Sequence, residues 1–226
     1  MKQKARNQFI LGLSLLLGFI LFTLSLSVVD IQPIGPKGSC IAYATVNEAV
    51  HALSGVNMTL YSITDWAGVA AILLACGFGL LGLVQWINRK SIRKVDSSIR
   101  VLGAFYLFVF GVYAFFELHA VNYRPVLISG VMEASYPSST TMLTACVLPT
   151  AMMQFHRLIK DRRIRNVANT LCALFAVFTV VGRLVCGVHW FTDIFGGLLF
   201  SAAAVLLYCA ANTFILARND INANAD

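Results

Sequence analysis

Residues Trp66–Ile87 read WAGVAAILLACGFGLLGLVQWI, 22 residues without a charge. Crossing the hydrocarbon of a bilayer takes about 20 apolar residues in a helix, within a range of about 17–25. In lipid such a segment must satisfy its own backbone hydrogen bonds, which a helix does internally. This stretch decides the fold because the chain repeats it. Phe9–Val29 is uncharged over 21 residues, Val101–Phe116 is uncharged and extends to Leu118, and Ser139–Phe155 has 17 residues. Asn166–Gly182 fills the interval between Arg165 and Arg183, and Ile194–Leu216 adds 23 residues in a span that can open at Phe191. The third span is the marginal one by length. The expected fold is an all-α integral membrane protein, six transmembrane helices in one bundle, with 1–226 forming a single membrane domain.

Composition supports this reading. Hydrophobic residues make up 58% of the 226 residues and charged residues 12%, against about 25% charged in soluble domains. So little polar surface cannot cover a soluble core this apolar. The net charge of +7 raises nucleic acid as a partner. The cations sit in short runs between apolar segments, which excludes it. Lys2, Lys4, Arg6, Arg89, Lys90, Arg93, Lys94, Arg100, Arg157, Lys160, Arg162, Arg163, Arg165 and Arg218 put fourteen cations on one side; Lys37, Arg124 and Arg183 put three on the other. The positive side is cytoplasmic by the positive-inside rule. The expectation is a multi-pass protein of the cell membrane with both termini cytoplasmic. Trp66, Trp86 and Trp190 fall at expected span ends, where amphipathic rings sit. A cleaved signal peptide is the alternative for the first span, but the apolar run is long and Ser25-Leu-Ser27 is a poor cleavage site.

Asp30–Asp65 is the long extracytoplasmic loop. Pro33, Gly35, Pro36 and Gly38 break it early. Val46, Val50 and Leu53 then repeat at helical spacing, which suits a short interfacial helix; the loop is either a packed surface segment or a lid beside a lipid site. Ser62-x-x-Asp65 reads as the start of the second span. The six cysteines show neither a CxxC pair nor metal spacing and read as apolar packing residues.

Polar residues near the membrane on the outer side carry the chemistry. Glu117, His119 and Arg124 follow the third span, Pro137-Ser138-Ser139-Thr140 opens the fourth, Arg183 closes the fifth, and His189 and Asp193 open the sixth. Ionisable groups at a bilayer are costly and suggest function. Singly, each has a plainer reading. Arg183 can be a snorkelling anchor, Ser138 or Ser139 an N-cap, and His189 with Asp193 an interface pair on one helical face. His51 and His156 lie elsewhere and read as structural. The conjunction of four helix ends is what points to a site.

The stretches Glu117-Leu-His-Ala-Val-Asn-Tyr-Arg124-Pro125, Pro137-Ser138-Ser139-Thr140 and Gly182-Arg183-Leu-Val-Cys-Gly-Val-His189-Trp-Phe-Thr-Asp193 resemble, in order, the motifs KxxxxxxRP, PSGH and SRxxxxxHxxxD of the type 2 phosphatidic acid phosphatase family. Soluble relatives of that family include the vanadium haloperoxidases. The resemblance covers roughly Glu117–Gly197, and the third motif is the most specific part. It implies a membrane lipid phosphatase or diphosphatase working at the extracytoplasmic face. His189 would be the nucleophile, becoming a phosphohistidine, and Asp193 would orient it. Arg124, Arg183, Ser138, Ser139 and Thr140 would bind phosphate. The implied partner is a phosphorylated or diphosphorylated membrane lipid, with no cofactor and no metal. Three positions depart from the motifs: Glu117 stands for the lysine, Thr140 for the histidine that acts as general acid, and Gly182 for the serine. His119 is then a possible substitute acid. The alternatives are a catalytically silent family member that binds phospholipid or a partner protein, and a transporter. A transporter places its ionisable residues near the midplane, whereas these cluster at one end.

Overall fold

The structure, a computed structural model, describes residues 2–223, with side chains for 3–215. The side chains of Lys2, Leu216 and Arg218, used above for span and charge, lie outside the described residues. Seven α-helices follow in order: α1 (Lys2–Ser25), α2 (Ala44–Ser54), α3 (Met58–Arg89), α4 (Ser97–Leu118), α5 (Ser139–Leu158), α6 (Arg162–Val185) and α7 (Phe191–Ala223). Among the described residues there are only isolated β-bridges, two of them in the α4–α5 connection.

Five helices, α1, α3, α4, α6 and α7, are long and apolar enough to cross a membrane. The sixth long helix, α5, differs for a physical reason. It packs against α3, α4, α6 and α7 and so meets protein rather than lipid. Its buried face carries Thr140, Thr141, Thr144, Thr150 and Gln154. Thr150 returns its hydroxyl to the Cys146 carbonyl at 2.8 Å, and Gln154 donates to the Tyr208 hydroxyl at 2.7 Å. The outside of the bundle is apolar instead: Leu73, Leu107, Leu171 and Val177 are exposed, which a bilayer tolerates and water does not. α1 lies along α7. Near its outer end, Phe19 packs with Phe116, Tyr136 and Phe200, joining α1, α4, α5's approach and α7.

Three local expectations are corrected. α3 begins at Met58, not at Ser62: Asn57 caps it, its side-chain oxygen accepting from the Leu60 amide at 2.9 Å. Ser62 and Asp65 therefore lie inside the helix, and Asp65 faces Arg183. Trp66 is likewise within α3, exposed on its flank. Trp190 is buried rather than an interfacial anchor, and its indole N–H donates to the Tyr123 carbonyl at 2.7 Å.

The loop from Asp30 to Asn57 folds down onto the bundle. α2 sits over the start of α7. Asn47 is fully buried there; its amide donates to the Thr192 hydroxyl at 3.0 Å and the Ala42 carbonyl at 2.8 Å, and its oxygen accepts from the Thr192 amide at 3.1 Å. The Asn57 amide donates to the Cys186 carbonyl at 3.0 Å. Gly187 has φ +66° and packs against the Gly55 carbonyl so closely that a Cβ there would collide with it. The α6–α7 turn, residues 186–190, is thus held from above by a segment more than 100 positions earlier.

Candidate active site

That turn carries His189. The expectation that His189 and Asp193 share one helical face is corrected, because α7 starts at Phe191 and His189 precedes it. The two side chains still meet, across the first turn, with His189 Nδ1 3.5 Å from Asp193 Oδ2. The same oxygen accepts from the Trp190 amide at 2.9 Å, a carboxylate serving the open amides of a helix start. Ser135, just before Tyr136, interacts with both His189 and Asp193.

The other ring nitrogen faces the cation. Arg183, in the last turn of α6, donates from Nη2 to His189 Nε2 at 3.1 Å. A guanidinium has no acceptor, so Nε2 is the unprotonated nitrogen and the proton sits on Nδ1, toward Asp193. Burial holds the His189 pKa well below its usual 6.5, and the charges of Arg183 and Arg124 push it the same way. A neutral imidazole keeps an Nε2 lone pair, here accepting from Arg183, and an unprotonated nitrogen is what a nucleophilic histidine needs.

Arg183 is 0% exposed. Its surroundings do not saturate it: Nη1 lies 3.5 Å from the Tyr61 carbonyl and 3.5 Å from Asp65 Oδ1, and Nε has no hydrogen-bond partner. A buried guanidinium with spare donors is costly unless an anion completes it. Arg124 arrives from the α4–α5 connection. Its guanidinium lies over the Tyr61 ring at 5.6 Å and that of Arg183 lies over the same ring at 4.8 Å. Arg124 also reaches the Tyr61 hydroxyl at 3.4 Å and pairs with Glu133 at 3.1 Å. Tyr61 therefore sets the two forks side by side.

The remaining motif residues divide. Ser138 is buried and caps α5, its hydroxyl accepting from the Thr141 amide at 3.5 Å. Ser139 and Glu117 line a narrow cleft with Tyr113, Ser135 and His189; it has about 10 Å³ of space, enough for about one water. Thr140 turns toward α3, where a Cβ on Gly68 would come within 3.1 Å of its methyl. His119 is exposed at the end of α4, its ring stacked on Phe115 at 4.7 Å, and it does not line the cleft. At Gly182 an added Cβ would stand 2.6 Å from the Thr64 methyl, so α3 and α6 pack where the motif has serine. Of the residues singled out by sequence alone, Arg124, Arg183, His189 and Asp193 gather. Tyr61, Ser135 and Asn47 were missed, since none belongs to a motif and only packing brings them in; Asp65 was read only as part of a helix start, whereas it faces Arg183. Among the described residues no three His, Cys, Asp or Glu side chains gather as a metal-ligand set.

In fold, the chain is similar to a transmembrane PAP2 type phosphatidylglycerolphosphate phosphatase from Bacillus subtilis, with a TM-score of 0.56, 20% identity, and coverage of 88% of this chain and 94% of that one. No curated protein shows significant sequence similarity to it. Residues 97–215, α4 through most of α7, match the PAP2 superfamily. With over half of its sequence in that match, the chain belongs to the PAP2 superfamily, as a multi-pass membrane protein of the lipid phosphatase kind.

Proposed function

We propose that this protein hydrolyses a phosphorylated or diphosphorylated membrane lipid at the extracytoplasmic face through a phosphohistidine on His189. One observation carries the reading: a fully buried guanidinium with spare donors, Arg183, touches the unprotonated nitrogen of a neutral histidine. A phosphate group between Arg183 and Arg124 would complete both forks with two-pronged hydrogen bonds. It would displace Arg183 from Nε2 and free that lone pair for phosphorus. As the N–P bond forms, the leaving oxygen departs with the P–O electron pair, and the imidazole gains positive charge. Asp193, on the Nδ1 side, holds the ring and stabilises that charge. Water then attacks the phosphohistidine, returning neutral His189 and phosphate.

A second reading, a catalytically silent lipid-binding member, draws on Glu117. This carboxylate lines the cleft where the motif has a cation and would repel a phosphate. Purified protein assayed for phosphate release from lipid diphosphate, with and without vanadate, separates the two. Release that vanadate suppresses supports hydrolysis. No release, with the lipid still bound and the binding lost in Arg183→Gln, supports the silent reading.

A further inference from the structure

Away from His189, toward the basic end of the bundle, α3 and α4 diverge. They leave a groove of about 770 Å³, floored by Leu143 and Val147 of α5. Its wall is nearly all apolar and is hollowed by glycine. At Gly79 and Gly103 an added Cβ would meet nothing within 4 Å, so no protein atom fills the space beside either backbone. Along α3 the groove runs from Ile72 to Trp86. That is about 21 Å at 1.5 Å per residue, ample for one leaflet's half of the roughly 30 Å hydrocarbon.

The mouth has a distinct charge. Arg100 lines it, and Arg89, Lys90, Arg93 and Lys94 stand in the adjoining turn. The one carboxylate of that connection, Asp96, is already engaged by Arg89 at 2.7 Å and by Gln85 at 2.8 Å. Among the described residues no carboxylate pairs with Lys90, Arg93, Lys94 or Arg100. An apolar slot one leaflet long, ending under four uncompensated cations, matches a molecule with an acyl chain and an anionic head. A second copy of this chain fits poorly, because its own basic connection would face this one.

We propose that the α3–α4 groove is a binding site for an anionic glycerophospholipid of the leaflet at the basic end, separate from the cleft at His189. The chain lies against Gly79 and Gly103, and the head phosphate rests on Arg93 and Arg100. The proposal is independent of whether His189 is catalytic.

The test uses full-length protein in phosphatidylcholine vesicles doped with a chain-photoactivatable phosphatidylglycerol or, in parallel, with the matching phosphatidylcholine. Cross-links are mapped to peptides of α3 and α4. Phosphatidylglycerol should label the groove about fivefold more strongly for each cation that engages its head. The double variant Arg93→Gln, Arg100→Gln should reduce that labelling to the phosphatidylcholine level. Gly79→Leu with Gly103→Leu should remove labelling by both lipids. The arginine variant alters only exposed side chains, so it remains decisive if the leucine variant fails to fold. Equal labelling by the two lipids in the wild type would overturn the proposal. So would unchanged preference in the arginine variant, or cross-links between two protein copies through the groove in place of lipid.

Discussion

At the scale of single residues, the proposed function turns on two positions: an imidazole that is kept neutral, and Thr140, where the motif has a histidine. His189 is buried beside two guanidinium groups, and its pKa lies well below 6.5 for that reason. In the unfolded chain a histidine takes a proton near pH 6.5. Below that pH the unfolded state therefore binds a proton that the folded state refuses, and stability falls as pH drops, until the lowered folded pKa is reached. On the proposed mechanism activity should instead persist below pH 6.5, since His189 stays unprotonated there. Unfolding midpoints and initial rates taken together from pH 7.5 to 5 should diverge in this way; an acid loss of rate centred at 6.5 would show that His189 titrates as an exposed residue. With threonine at position 140, the proposed reaction has no motif histidine to protonate the leaving group. A lipid monophosphate expels an alkoxide, comparable in basicity to hydroxide, whose parent water has a pKa of about 15.7. A diphosphate expels a phosphate whose last ionisation lies near about 6. General acid catalysis is worth roughly 10²–10⁴-fold where it is needed, and no histidine besides His189 lines the cleft to supply it. The diphosphate should be turned over faster than its matched monophosphate by a factor in that range. His119→Ala should leave the ratio unchanged, because His119 stacks on Phe115. Comparable rates for the two lipids would contradict this.

At the scale of elements, the apolar runs were legible as helices because a spanning backbone must satisfy its own hydrogen bonds and continuous apolar runs of this length do so only as helices. Their ends were less so. Asn57 caps α3 one turn before Ser62-x-x-Asp65, and Trp190 is drawn inside by its bond to Tyr123. The motif residues were legible from spacing, whereas Tyr61 and Asn47 were not. Their partners, Arg124 and Arg183 for one and Thr192 for the other, lie more than 60 positions away, and no periodicity links them. The departure at Gly182 has a packing cause visible only in three dimensions: Thr64 of α3 occupies the space a serine would need. Gly182→Ser should therefore overpack the α3–α6 contact and destabilise the fold by about 1–3 kcal/mol. Thr64→Ala, made in the same chain, should recover most of the loss. A double-mutant cycle on thermal unfolding measures this coupling; additive effects would mean that the two helices are not in contact there.

At the scale of the whole molecule, the bundle is apolar outside and packed around a largely apolar core, into which α5 carries threonines and a glutamine, and Arg124, Arg183, His189 and Asp193 gather at one end. By the positive-inside rule, fourteen cations against three lead us to expect that end away from the cytoplasm. Reporter fusions after Lys94 and after Gly55 should give opposite sidedness; the same sidedness at both would remove the extracytoplasmic site. In the proposed function, phosphorus passes through His189. The most direct measurement of this step is rapid acid-free quenching of the enzyme during turnover of a lipid diphosphate labelled in its terminal phosphate. The labelled peptide is then identified. An acid-labile phosphoramidate on His189 in the wild type is expected, absent together with turnover in His189→Ala. Full turnover in His189→Ala, or label carried by a different residue, would contradict it.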